Sequence, residues 1–179
     1  MRFDPTTAEC RVFTYKEGLL SAVAHDLEIR VESFTIEIDE TAWRLEARFD
    51  PTSLRVVGAV RNGAVDPGEL SESDKRTIEG NIVRDVLDAA RHPEIRFTSD
   101  AATGRGDDLA VRGTLALHGH TRDVTVIARR GADGWTAEAR LHQPDFGIRP
   151  YSAMLGTLRV KADVVVRVTL PGENGAESS

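Results

Sequence analysis

Two short polar segments contain residue types that could perform acid–base chemistry or hold a polar group. His25 and Asp26 are neighbours at the start of an alternating apolar segment, so a carboxylate could orient an imidazole for proton transfer or for holding a polar head group. Arg149 and Tyr151 follow an Asp-Phe-Gly-Ile segment, and a guanidinium near a phenol could bind a phosphate or a carboxylate. A structural role stays open for both pairs: a cap with a local hydrogen bond for the first, and closure of one end of the fold for the second.

The candidates for metal binding and nucleophilic catalysis are weaker. His118 and His120 flank Gly119 in a predicted hairpin turn, and two imidazoles do not form a zinc site when no third ligand is marked nearby. Cys10 is the only cysteine, which excludes an internal disulfide and leaves a thiol without a positioned base. The sequence also lacks a glycine-rich phosphate loop, a nucleophile elbow and a paired-cysteine motif. We therefore expect no metal, no cofactor and no catalysis.

The segment 158–170 indicates what kind of scaffold positions these residues. Its even positions, from Leu158 to Leu170, are all apolar, and its odd positions are polar or charged except at Val165. Because a strand turns alternate side chains to opposite faces, this pattern predicts one long continuous strand with a dry face and a wet face. Long strands that are wet on one side are typical of a closed antiparallel barrel with an apolar interior.

The rest of the chain gives further strands and one helix. Leu27 to Val31 alternate at odd positions and Phe34 to Ile38 at even ones, which predicts one strand with a β-bulge near Ser33. Apolar residues at three- and four-residue steps predict a helix that begins after an N-cap at Ser73 and ends before His92-Pro93. Other strands are predicted at 11–16, 43–49, 53–57, 95–99, 109–117, 123–129 and 135–142, with a compact turn over 17–26 and a loop over 61–70.

These elements predict a mainly β protein: an eight-stranded antiparallel up-and-down barrel with one amphipathic helix as a plug or lid. An eight-stranded barrel is just wide enough to hold one small ligand. Residues 1–170 form a single domain in this interpretation, and 171–179 form a disordered tail. The periodicity shows which face of each strand is dry, and it leaves open whether the interior holds a ligand or is filled by its own side chains.

The bulk composition excludes several classes of protein. The 179 residues carry a formal net charge of −6, whereas a nucleic-acid-binding protein presents a basic face. No apolar run reaches the roughly 18 residues of a membrane-spanning helix. Acids and a proline stand where a secretory signal has its apolar core, so we expect a cytoplasmic protein.

Several separated motifs resemble the YceI-like family of polyisoprenoid-binding, lipocalin-like proteins. The run 91–99, RHPEIRFTS, resembles the family segment that follows its helix. The run 111–126, VRGTLALHGHTRDVTV, resembles its central hairpin, and Asp145-Phe-Gly-Ile148 resembles its segment near the C-terminus. Residues 21–26, SAVAHD, resemble a family variant with a His-Asp pair before the second strand. The order and spacing agree from about Phe13 to Leu170.

The resemblance implies a lipocalin-like barrel whose long cavity holds an isoprenoid or fatty chain without catalysis. The expected ligands are a polyisoprenoid, an isoprenoid quinone or a fatty-acyl lipid, with a homodimer left open. The candidates for the cavity wall are apolar residues on the predicted dry faces: Phe13, Leu27, Ile29, Val31, Ile36, Leu115, Leu117, Val124, Val126, Val160, Val164 and Val166. His25, Asp26, Arg149 and Tyr151 are the candidates for the head group. Two alternatives remain: an enzyme that acts on a hydrophobic substrate through His25 and Asp26, and a packed barrel that serves as an interaction module.

Overall fold

Alternating apolar side chains build one large antiparallel sheet that curls around a central space. The computed structural model describes residues 1–17, 25–42, 44–66, 68–153 and 158–172. The strands are β1 (Arg2–Phe3), β2 (Glu9–Thr14), β3 (Lys16–Glu17), β4 (Asp26–Val31), β5 (Phe34–Asp39), β6 (Arg44–Phe49), β7 (Leu54–Arg61), β8 (Ala64–Asp66), β9 (Ile95–Arg105), β10 (Asp108–Leu117), β11 (His120–Gly131), β12 (Gly134–His142), β13 (Ser152–Ala153), β14 (Leu158–Val160) and β15 (Asp163–Pro171). The α-helix α1 spans Glu72–Asn81, and a π-helical turn, Ile82–Val86, continues it.

The main sheet contains twelve of these strands in the order β1-β5-β6-β9-β10-β11-β12-β15-β2-β4-β7-β8, and a small sheet contains β13, β14 and β3. The prediction of a mainly β fold with one helix and a curled antiparallel sheet is confirmed. The eight-strand count is not confirmed, because several segments predicted as single strands are divided. The predicted turn over 17–26 lies largely outside the described residues, as do Trp43 and the tail beyond Gly172.

The segment predicted as one strand with a bulge near Ser33 forms two separate strands, β4 and β5. The chain turns at Glu32 and Ser33, so β4 pairs with β2 and β7, whereas β5 pairs with β1 and β6. Backbone hydrogen bonds fix this crossing, from Glu32 N to Ser53 O and from Asp50 N to Ser33 O, each 3.0 Å long. The two halves therefore lie at opposite ends of the strand order, and the connections β4–β5 and β6–β7 hold these ends together.

The segment 158–170 is also divided, so the prediction of one continuous strand is wrong. β14 joins the small sheet through β3 and β13, whereas β15 pairs with β12 and β2 in the main sheet. The chain bends at Lys161 and Ala162, whose backbones bond to Tyr15 O (2.8 Å) and Gln143 N (2.9 Å). Alternation alone could not reveal the division, because Val160 before the bend and Val164 after it both line the cavity.

The helix begins two residues before the predicted position. Ser71, not Ser73, is the N-cap: its hydroxyl accepts from the Asp74 backbone N–H, and the Asp74 carboxylate accepts from the Ser71 backbone N–H, each at 3.1 Å. Hydrogen bonds from the Ser71 hydroxyl and backbone lower the pKa of the Asp74 carboxyl. The regular α-helix ends at Asn81 rather than near residue 90, and Leu87 N bonds to Ile82 O at 2.9 Å, five residues back.

The segment 61–70, predicted as a loop, contains a hairpin instead. Asn62 and Gly63 have φ angles of 53° and 81°, which is the left-handed pair that a tight two-residue turn requires. The turn folds β8 back onto residues 59–61 of β7. Asn-Gly is the strongest short signal for such a hairpin, and it was present in the sequence. The turn predicted at His118-Gly119 is confirmed, with φ angles of 51° and 74°.

The helix covers the part of β7 that has no second strand beside it. β8 pairs only with the last three residues of β7, and Val56 lies before them. The Glu79 carboxylate accepts a hydrogen bond from the Val56 backbone N–H at 2.9 Å. Ile78 and Ile82 pack against the core on the same side of the helix. The helix therefore supplies both the acceptor and the apolar cover for an exposed strand edge.

We predict that Glu79→Ala destabilises the fold by about 1–3 kcal/mol, because it leaves the Val56 N–H without its acceptor. Chemical denaturation measures the change in the free energy of unfolding. Arg76→Ala, at an exposed position on the same helix, is the matched control. Equal effects of the two substitutions would show that the hydrogen bond does not fasten the helix to the sheet.

Candidate binding cavity

The curled sheet and the helix enclose a cavity of about 1090 Å³. Drug-sized ligands occupy pockets of about 300–1,000 Å³, so this space is slightly larger than the top of that range. Its wall consists mainly of the inward side chains of the sheet strands, together with Ile78, Ile82 and Val86 from the helical segment. The cavity is therefore apolar along its length, and its polar residues lie mostly near its two ends.

Eleven of the twelve predicted wall residues line the cavity: Leu27, Ile29, Val31, Ile36, Leu115, Leu117, Val124, Val126, Val160, Val164 and Val166. Some of these residues lie on strands whose apolar positions are odd-numbered, and the others on strands whose apolar positions are even-numbered. On each of these strands, the face predicted to be dry is the one that lines the cavity. Their contact with a ligand stays a prediction.

Phe13 is the exception, because it lies on the outer face of β2. The guanidinium carbon of Arg167 is 4.8 Å from the centre of the Phe13 ring and covers it. Cys10, Val12 and Thr14 are the inward residues of this strand. The prediction failed because both faces of the segment carry apolar residues, and an outward phenyl ring is tolerated when an arginine shields it.

One end of the cavity, here called the helix-side mouth, is lined by His25, Glu69, Asp74, Asn81, Tyr151 and Arg159. His25 Nε2 lies 3.7 Å from Glu69 Oε1, and the same carboxylate binds the Arg61 guanidinium at 2.8 Å. Asn81 Nδ2 donates a hydrogen bond to the Tyr151 hydroxyl at 3.1 Å. His25 and Tyr151 are thus predicted head-group residues that do reach the cavity.

Asp26 and Arg149 do not line the cavity. Asp26 instead accepts a hydrogen bond from the Lys16 backbone N–H at 2.7 Å, and Arg149 is exposed. Adjacent residues of an extended strand face opposite sides, so His25 turns inward with Leu27 while Asp26 turns outward. The predicted His25–Asp26 pairing is therefore wrong, and Glu69 is the carboxylate beside His25.

The opposite end, here called the arginine mouth, is lined by Glu40, Arg44, Arg130 and Trp135. The register of β15 shows that the arginine mouth lies opposite the helix-side mouth. β15 starts near the helix-side mouth, and Leu170, near its other end, pairs with Trp135. Sequence analysis missed this end. Arg130 and Trp135 continue the inward phases of β11 and β12, so the alternation could have indicated them. Glu69 had no such signal, because it lies between the hairpin and the helix.

The histidines near the β10–β11 turn contact backbone groups. His118 Nδ1 is 3.2 Å from Phe146 O, and His120 Nδ1 is 3.0 Å from His118 O. The rings of His92 and His118 lie 4.7 Å apart, centre to centre. Within the described residues, no group of three or more His, Cys, Asp or Glu side chains is placed to hold a metal ion. These contacts tie the turn to the neighbouring segment Gln143–Phe146.

Among the described residues, no helix combines the length and the apolar character needed to cross a membrane.

Comparison with known proteins decides the family. The model of the YceI-like domain matches residues 2–171. The chain belongs to the YceI-like family. Protein YceI of Escherichia coli O17:K52:H18 is 30% identical over 129 residues, which cover 66% of this chain and 63% of that protein. Protein YceI of Shigella flexneri is 28% identical over the same shares. The matched part of the chain thus spans less than two thirds of the length of these relatives.

Solved structures show the same fold. Burkholderia cenocepacia BcnA has a TM-score of 0.63 and 17% identity, with 92% of this chain and 96% of that chain covered. A polyisoprenoid binding domain from Saccharophagus degradans, implicated in plant cell wall breakdown, has a TM-score of 0.58 and 14% identity, with 94% of each chain covered. At these identities the likeness establishes the YceI-like fold of the chain.

The inward orientation of Cys10 gives a test of the cavity wall. Its side chain is buried, and burial raises the pKa of the thiol to about 12. At pH 8 about one thiol in ten thousand is then ionised, and only the thiolate reacts.

We predict that iodoacetamide modifies Cys10 about a thousandfold more slowly in the native protein than in denaturant. Mass spectrometry measures the modification. Glu9→Cys in a Cys10→Ser background places a thiol at the exposed neighbouring position and is expected to react quickly in both conditions. Rapid native modification of Cys10 would contradict the inward placement.

Proposed function

We propose that this protein binds or carries a long apolar chain inside the cavity, without catalysis. The observation that carries the proposal is the apolar wall, which runs without interruption between the two polar mouths of a cavity of about 1090 Å³. The polyisoprenoid-binding domain among the structural neighbours supports the same class of ligand. A polyisoprenoid, an isoprenoid quinone and a fatty-acyl lipid all have the required chemistry.

The wall can supply the binding free energy without specific polar contacts. Each buried methylene contributes about 0.8 kcal/mol, so a sixteen-carbon chain gains on the order of 12 kcal/mol before costs. Association and ordering of the chain oppose this with several kcal/mol. Micromolar binding follows even when no hydrogen bond to the ligand forms.

The two alternatives have less support from the geometry. The enzyme hypothesis depended on an Asp26 carboxylate that orients His25, and Asp26 faces away from the cavity. Glu69, the carboxylate beside His25, lies 3.7 Å from Nε2, beyond hydrogen-bond distance, and binds Arg61 at 2.8 Å. The packed-barrel hypothesis requires side chains that fill the interior, which conflicts with the size of the cavity.

The direct test is native mass spectrometry of the purified protein before and after extraction with organic solvent. We expect an added mass that extraction removes, and lipid analysis of the extract then identifies the chain. Delipidated protein is expected to regain the added mass when it is incubated with geranylgeraniol or hexadecanol. A protein that carries no lipid and takes up neither probe would contradict the proposal.

We predict that Val164→Trp displaces the chain while it leaves the fold nearly as stable as the wild type. Val164 lines the cavity, so the indole enters open space instead of a filled core, where overpacking typically costs about 1–3 kcal/mol. Thermal unfolding and lipid extraction are measured on the same samples.

Val165→Trp is the matched control, since the adjacent residue is not part of the cavity wall. It is expected to retain the lipid. Marked destabilisation by Val164→Trp together with an absence of lipid from the wild type would argue for a filled interior.

A further inference from the structure

The arginine mouth is lined by two exposed arginines that the apolar-chain function does not use. Arg130 is the last inward residue of β11, after Val124, Val126 and Ala128. Arg44 is the first residue of β6 and lies at the rim of the cavity, next to the inward Leu45. Trp135 lies directly across from Arg130 in the β11–β12 pairing and also lines the cavity. An indole ring beside a guanidinium is suited to a boundary that is apolar on one side and wet on the other.

These two arginines differ from three outward arginines on other strands. Arg129 pairs with Asp108 at 3.5 Å, Arg140 with Asp163 at 3.8 Å, and Arg167 with Glu138 at 2.6 Å. For Arg44 and Arg130, the described part of the chain shows no ion pair within 4.0 Å and no side-chain hydrogen bond. An arginine that faces an apolar cavity without a counter-charge is available to an anion that enters it.

The acidic groups near this mouth do not remove its positive character. Asp39 is opposite Arg44 in the strand register, but one of its carboxylate oxygens accepts hydrogen bonds from the backbone of Thr41 and Ala42 at 2.9 Å. Among the described residues, Glu40 is the single carboxylate in the lining at this end, against two arginines.

The helix-side mouth has the opposite balance. Its lining includes the carboxylates of Glu69 and Asp74 and one guanidinium, that of Arg159. His25 Nε2 lies 3.7 Å from Glu69 Oε1 at this end. The lining of this end has one more carboxylate than guanidinium, with Glu69 also bound to Arg61 at 2.8 Å, whereas the lining of the arginine mouth has one more guanidinium than carboxylate.

We propose that the ligand is an amphiphile with an anionic head group, which Arg130 and Arg44 bind at the arginine mouth while the apolar chain extends toward the helix-side mouth. This rests on the proposed function and adds the charge and the direction of the ligand. The head group is a carboxylate or a phosphate, because a guanidinium donates paired hydrogen bonds to both. A long-chain fatty acid and an isoprenyl phosphate supply these two groups.

The affinity experiment uses delipidated full-length protein and four probes: hexadecanoate, geranylgeranyl phosphate and the corresponding neutral alcohols, hexadecanol and geranylgeraniol. We expect Arg130→Gln to weaken the binding of the anionic probes by about tenfold and to leave the alcohols unchanged. Arg44→Gln is expected to act in the same direction, and the double substitution to act more strongly. The anionic probe that binds more tightly to the wild type identifies the carboxylate or the phosphate as the preferred head group.

Arg129→Gln is the matched control, because it removes the same charge one residue away on the outer face. It is expected to leave the affinity for all four probes unchanged. Thermal unfolding of each variant verifies that the fold is retained. An equal loss in the Arg129 and Arg130 variants would indicate a long-range charge effect and overturn the assignment of a head-group site.

The direction of the chain is tested through the fluorescence of Trp135 in a Trp43→Phe background. Bromine quenches indole fluorescence at short range, so a fatty acid brominated near its carboxylate is expected to quench Trp135 strongly. The same fatty acid brominated at its methyl end is expected to quench it weakly. The reverse order would place the head group at the helix-side mouth and overturn the proposal.

The outcomes separate the two levels of inference. If the alcohols bind and the arginine substitutions do not change the affinity for the anionic probes, the cavity binds apolar chains and the head-group assignment is wrong. If none of the four probes binds the wild type, the proposed function fails and the head-group assignment fails with it.

Discussion

The closure of the two sheet edges is the constraint on which the cavity depends. A curled sheet that stopped at β7 and β5 would leave unpaired backbone groups and an open side. Two chain crossings, fixed at Ser33 and Ser53, hold the edges together. The hydrogen bond between Glu79 and Val56 then attaches the helix over the part of β7 that lacks a partner strand. Without these contacts the apolar faces would be exposed to water, and no enclosed volume would remain.

Strand alternation allowed most of the cavity wall to be predicted from the sequence. It placed residues such as Ile29, Leu115 and Val166 correctly because each lies in a clear apolar phase. The same rule would also have separated His25 from Asp26, since neighbours on a strand face opposite sides. Phe13 could not be resolved in this way, because both faces of its strand carry apolar residues, with Cys10 and Val12 on the other face.

The features that escaped prediction depend on contacts between distant parts of the chain. The division at Lys161 keeps the inward phase, so it leaves no trace in the periodicity, whereas the division at Ser33 changes the phase and was interpreted as a β-bulge within one strand. Glu69 lies beside His25 only because the β7–β8 hairpin and the helix bring it there. The start of the helix could have been predicted from local sequence, because Ser71 and Asp74 have the spacing of a capping box. Residue type alone did not distinguish Ser71 from Ser73 as the N-cap.

The pairing of β2 with β15 joins one of the first strands to the last one, with Phe13 opposite Val165. Contacts between residues this far apart in sequence form slowly, because the entropy of closing a long loop opposes them. The wall between these two strands is therefore completed only after β15 has been synthesised, and the nascent sheet has its apolar face exposed until then. Once β15 pairs with β2, Val12 lies opposite Val166 and both side chains line the cavity, so the described backbone leaves no gap between these two strands.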